Sequence, residues 1–202
     1  MICSWFKKKK ENKPAPLPPK IPQNPAYLEA KKYLGKKETG SAFNKWLSGF
    51  WKIVGLPNYK TIIGASFAWC GLFIAVMNSE VGQEWIKNGA GARNWAKYGQ
   101  EVNWKRDGIP QGAVVHVNSK SCSSGSGNHV TFADGACTAE YLATKGAVVP
   151  GLGGNQGNSV KRSYYSAEKV CAVRWPKELP LPPSVKVNVS CGSGSASSES
   201  TR

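Results

Sequence analysis

The sequence is short of the residues on which acid–base and metal chemistry depend. Of its 202 residues only two are histidine, His116 and His129, and only 12 are acidic against 27 lysines and arginines. A mechanism that moves a proton through an imidazole must use one of those two positions. Six cysteines (3, 70, 122, 137, 171 and 191) are too sparse and too irregular for a disulfide-built scaffold, and no CxxC pair marks a zinc or thioredoxin-type site. No GxxxxGK[ST] loop is present to cradle phosphate, and there is no helix-turn-helix, RRM signature or Cys/His finger, so nucleic acid is not an expected partner. Met1–Phe6 runs straight into Lys7–Lys10 with no apolar stretch between, so a signal peptide is not expected, and Cys3 lacks the apolar export segment of a lipoprotein.

What is present points to one folded unit with basic and proline-rich ends. Hydrophobic residues make up 41% and include eight tryptophans, enough to close a core and too much for a disordered chain. The net charge of +15 calls for a polyanionic partner: nucleic acid, an anionic membrane or an acidic cell-wall polymer. Ten lysines fall within residues 1–37, against Glu11 and Glu29. Residues 7–25, KKKKENKPAPLPPKIPQNP, favour an extended chain, so 1–25 reads as a basic tether. Residues 177–202 run from LPLPPS into SCGSGSASSES and read as a flexible tail, which leaves 26–176 as the domain.

Within that domain Asn24 and Pro25 form a helix start, and Tyr27, Ala30 and Leu34 continue at helical spacing to Gly35, predicting a helix over 25–34. Thr61–Ser79 carries no charge, as a membrane span or a fully buried helix would; Gly64, Ser66, Gly71 and Asn78 favour a buried central helix over 69–79. A helical patch at Gly91–Tyr98 is followed by strand-like runs at Ala113–Val117, His129–Ala133, Ala147–Val149 and Val170–Trp175. Helices first and strands afterwards predict an α+β domain, its central helix packed on an antiparallel sheet.

Cys70 falls where that buried helix should begin, and free N–H groups at a helix start stabilise a thiolate. A cysteine in an apolar run is ordinarily only core filling, so its surroundings must decide. His129 opens the HVTFAD strand after the loop 118–128 and could reach the tip of a helix packed on the sheet, as a base toward Cys70. Asn155, in the turn GLGGNQGNSV, could orient the imidazole, with Gln156, Asn158 and Asp134 as rivals. His116, alternating within AVVHV, reads as a strand residue facing the other layer. A zinc site from Cys122, Cys137 and His116 lacks the short spacing that preorganises ligands, so no metal and no cofactor is expected.

FAWCGLFIAV, GARNWAKYG, IPQGAVVHV, NHVTFADG, LGGNQGNSV and VCAVRWP, in this order and preceded by PAYLEAKKYLGKKETG, resemble the phage and bacterial cysteine peptidoglycan hydrolases of the CHAP/NlpC type over about 26–176. The resemblance implies a papain-like fold, Cys70 as nucleophile, His129 as base and Asn155 as the third polar residue. It implies cleavage of an amide bond of the cell-wall peptide through a thioester, by an endolysin-like monomer that needs no cofactor and waits in the host cytoplasm before acting on the wall. Lys7–Lys20 would contact anionic wall polymer or membrane. A secreted antibacterial amidase, or a non-catalytic wall-binding or virion structural module, are the other readings. The family's P-x-x-G-D-I-V-V-F becomes IPQGAVVH here, losing an acid and gaining His116, and its G-H-V becomes Asn128-His129-Val130. Both changes bear on substrate preference.

Overall fold

The computed structural model describes residues 22–39, 42–55 and 68–192. They form a mixed α+β unit around one six-stranded antiparallel sheet. Helix α1 spans Pro25–Lys31; the Asn24 side chain accepts the Ala26 N–H, and Pro25 occupies the first turn, where its missing N–H costs nothing. It ends three residues before the expected Leu34, because residues 32–35 close as turns and Gly35 donates to the Val160 carbonyl. A short α2 (Ala42–Ser48) and a 3-10 turn (Trp51–Val54), neither foreseen from the sequence, bury Phe43, Leu47, Trp51 and Val54.

Helix α3 runs Cys70–Glu80, within a residue of expectation, and every residue from Cys70 to Asn78 is buried. A helix covered on all sides has no polar stripe, which is why this stretch is free of charge. Gly71 is required by close approach: a Cβ there would stand 1.9 Å from the Gly89 carbonyl oxygen. Among the described residues no helix is long and apolar enough to cross a membrane. The expected helix at Gly91–Tyr98 is a 3-10 turn over Ala92–Lys97.

The strands are β1 (Gln100–Glu101), β2 (Val114–Asn118), β3 (Asn128–Ala133), β4 (Val148–Gly153), β5 (Lys161–Ser166) and β6 (Val170–Trp175), in the order β1-β6-β2-β3-β4-β5. Two short helices, α4 (Trp104–Asp107) and α5 (Ala139–Leu142), complete the set. One face of the sheet packs Val114, Val130, Phe132 and Leu152 against α1, α2 and α3. The other face carries Val115, Val117, Val149, Val173 and Trp175, packed with Trp104, Tyr141 and Leu179.

The residues after 176 depart from the expected flexible tail. Gln100 donates to the carbonyls of Pro176 and Leu179, Ser184 and Val185 both donate to Asp107, and Ala136 and Val189 exchange backbone hydrogen bonds. A Cys137–Cys191 disulfide closes this arrangement, and a second, Cys122–Cys171, ties the 118–128 loop to β6. The partners lie 54 and 49 residues apart, and spacing gives no sign of such pairs. The unit therefore extends to residue 192. Of the expected tether over 1–25, Asn24 is fully buried and Pro25 begins α1, so the folded unit starts earlier than expected, while residues 1–21 and the remainder of the tail lie outside the described residues.

Candidate active site

Cys70 is the first residue of α3, fully buried and the free cysteine among the described residues. The residue before it, Trp69, is fixed on several sides. Its indole N–H donates to the Glu38 carboxylate at 2.5 Å, and Phe43 and Phe73 meet its ring edge to face. Gly154 lies so close that a Cβ would be 2.4 Å from the indole, so only glycine fits there. The clamp fixes where α3 starts, and hence where the sulfur sits.

The backbone N–H groups of Val130, Gly71 and Cys70 itself are directed at the sulfur. Burial outweighs them and pushes the thiol above its ordinary value, so the resting group is the neutral thiol. The Val130 N–H is free for this because hydrogen-bonded pairs alternate along an antiparallel ladder. Ala133 donates to Ala113, so the His116–Val130 pair, three steps on, is a non-hydrogen-bonded one. Between β3 and β4 the ladder covers only Phe132–Leu152 and Ala133–Gly151. Toward the start of β3 the seam is unpaired, and Cys70 meets the strand there.

The register also decides which way the histidines face. Directly opposed residues share a face, and β2 pairs Val115 with Thr131, His116 with Val130 and Val117 with His129. Val130 packs with α3 and Val117 with the far core. His116 therefore projects on the helix side and His129 on the far side, the reverse of the expectation for His116. The reason is that β2 is buried on both faces, so its run of apolar residues carries no alternation to read.

The His129 carbonyl carbon is bonded to the Val130 nitrogen that faces Cys70, although its side chain lies on the other face of the sheet. The His129 ring stacks on Tyr165 with centroids 5.4 Å apart, and neither ring nitrogen has a hydrogen-bond partner. Burial, with a smaller contribution from His116, pushes its pKa down to about 3, so the imidazole is neutral. The expected hydrogen bonds from His129 to Cys70 and to Asn155 are not formed. His116 donates from Nε2 to Asn128 Oδ1 at 2.9 Å, and Asn118 donates to the same oxygen. That ring is held on the β2 side of the strand.

The candidates for the third residue separate clearly. Asn155 is buried but has φ of +58°, so the chain leaves the strand at that residue. Gln156 returns over the sheet, with Nε2 3.4 Å from Thr131 Oγ1. Asp134 is committed elsewhere, accepting from Tyr27 at 2.6 Å and pairing with Arg162, five residues along the strand from His129. Asn158 receives the Glu38 N–H on its carbonyl. Cys122 and Cys137 are taken up in disulfides, and among the described residues no three His, Cys, Asp or Glu side chains are grouped to hold a metal. Glu38, the residue that fixes Trp69, went unnoticed in the sequence because a lone acid after two lysines looks like a solvated charge. Comparison with family models, with curated proteins and with solved structures finds no match to this chain.

Proposed function

We propose that the protein is a cysteine amidase or peptidase that cleaves an amide bond of the peptidoglycan peptide, on a papain-like arrangement of helix and sheet. The observation that carries this reading is the placement of Cys70: a free thiol at a helix start, its sulfur facing the backbone N–H that joins His129 to Val130. The reaction requires the His129 ring to swing through the unpaired seam beside Val130 to the helix side; there the Cys70 thiol passes its proton to His129 as sulfur attacks the amide carbonyl carbon. The oxyanion that forms takes hydrogen bonds from N–H groups at the start of α3. His129 returns the proton to the leaving amine, the C–N bond breaks, and a thioester remains. Water, deprotonated by His129, then attacks the thioester and frees the acid and the thiol. Every proton is accounted for by one imidazole, so no cofactor is required.

The resemblance of the six ordered motifs supports wall peptide as substrate, and the +15 charge suits an anionic wall or membrane surface reached through Lys7–Lys20. Release from a host cytoplasm at lysis, or export as an antibacterial effector, would both bring the protein to that surface. Complete burial of Cys70 and His129 favours one second reading, a wall-binding module without turnover. Mass spectrometry of muropeptides released from purified walls separates the two. New amine and carboxyl ends at a single bond type support the hydrolase; binding to walls with no new ends supports the module.

A further inference from the structure

Nδ1 and Nε2 of His129 and Oε1 of Gln156, on the far face near the start of β3, are buried and left without partners, as is Nδ1 of His116 on the helix side. The His129 and Gln156 side chains are 1% and 2% exposed, so water does not satisfy them from outside. An orphaned donor or acceptor in such a place is costly, and a native structure holds it only for a reason. Their locations are related. His129 and Thr131 lie two residues apart on one face of β3, and Gln156 reaches Thr131 across the seam to β4. A Cβ placed on Gly153 would meet both Gln156 Nε2 at 2.7 Å and Thr131 Oγ1 at 3.0 Å, which puts the amide over Thr131, one side-chain row from the imidazole. The strand repeat makes that row spacing roughly 7 Å between backbones, well within the span of a glutamine and a histidine side chain.

We propose that Gln156 is the positioning residue of this site: its amide oxygen, unpartnered in this structure, closes onto a ring N–H of His129, equally unpartnered, and so fixes the tautomer that leaves the other nitrogen to serve Cys70. The proposal rests on the reading of Cys70 and His129 as nucleophile and base. It displaces Asn155, whose left-handed backbone turns the chain out of the strand at the residue before. The inward-facing carbonyl oxygen matches what the site needs, an acceptor with no charge. A carboxylate there would hold the imidazole protonated and spoil it as a base.

The test is NMR of the His129 ring nitrogens in a Cys70→Ala background, which reads tautomer and titration without turnover. The ring stacks on Tyr165 from β5, while His116 on β2 and Cys70 at the head of α3 lie on the helix side of the sheet, and of these only Cys70 is altered. Gln156→Ala should leave the tautomers mixed. Gln156→Glu, nearly isosteric and so the safer variant for folding, should keep a single tautomer and raise the His129 pKa by at least about one unit. Asn155→Ala should move neither. With Cys70 restored, Gln156→Ala should lower kcat roughly 10- to 100-fold with KM little changed, and Gln156→Glu should shift the acid limb of the pH profile upward. Movement of the His129 tautomer by Asn155→Ala alone, or by neither variant, overturns the proposal. Gln156-dependent titration in a protein that cuts no wall would keep Gln156 and refute the hydrolase.

Discussion

The two faces of the sheet are closed by different means. On the helix side the seal is apolar: Trp51, Trp69, Trp95, Phe73 and α3 from Cys70 to Asn78 are fully buried. On the far side the apolar residues are mostly valine and alanine, and a proline-rich segment, 177–192, lies over them, tied by Cys137–Cys191 and side chains on Asp107 and Gln100. Such a segment has little hydrophobic surface of its own to bury. Covalent closure supplies what packing does not, by limiting the unfolded chain. The first face should therefore be sensitive to side-chain volume and indifferent to reductant, and the second the reverse.

The largest effect should follow from opening the apolar face. Trp69→Ala removes a fully buried indole together with its bond to Glu38, and should cost about 3–5 kcal/mol in urea unfolding. A loss below 1 kcal/mol would mean that Gly154 and Phe73 collapse onto the site. Next in size, replacing Cys137 and Cys191 by Ser should cost about 2–4 kcal/mol and expose residues 177–192 to protease while Cys70 stays buried. Equal protease resistance in both forms would show that the hydrogen bonds suffice.

A smaller effect concerns acid. His129 has a folded pKa lowered to about 3 from 6.5, so the unfolded chain binds a proton that the folded one refuses between those values. Stability is then whole above about pH 6.5 and falls as pH drops toward 3, by up to about 1.4 kcal/mol per unit. Between pH 7 and 5 this amounts to about 2 kcal/mol, and His129→Phe should remove that part of the slope. An unchanged slope would place the acid sensitivity elsewhere, with His116 the first alternative, since burial lowers its pKa too. Smallest should be the reactivity of the buried thiol in the free protein: alkylation of Cys70 near pH 8 should lag behind an exposed cysteine, because burial raises its pKa. Alkylation as fast as that of a model thiol would show that the site opens readily.

The same contrast explains what could be read in advance. A charge-free run of helix length is legible because it admits few other fates, and α3 begins at Cys70 as expected. Strand β6 is legible to the residue, whereas β5, KRSYYS, resembles a loop because its side chains are polar and half-buried at the sheet's edge. Facing was misread at His116 because a one-residue change of register inverts a strand, and only cross-strand pairing fixes it. The far-face segment was misread as a tail because a proline-rich composition reports local stiffness, while its attachment comes from residues such as Asp107 and Cys137, far away in sequence.

The central claim is that one buried sulfur at the head of α3 carries the chemistry. The direct measurement is the rate at which purified peptidoglycan is cleaved by Cys70→Ala beside the parent protein, with circular dichroism and the melting temperature taken on both. Release of new amine ends by the parent and none above background by a folded Cys70→Ala is the expected result. Cleavage at the parental rate by Cys70→Ala would contradict it and leave Cys70 a core residue.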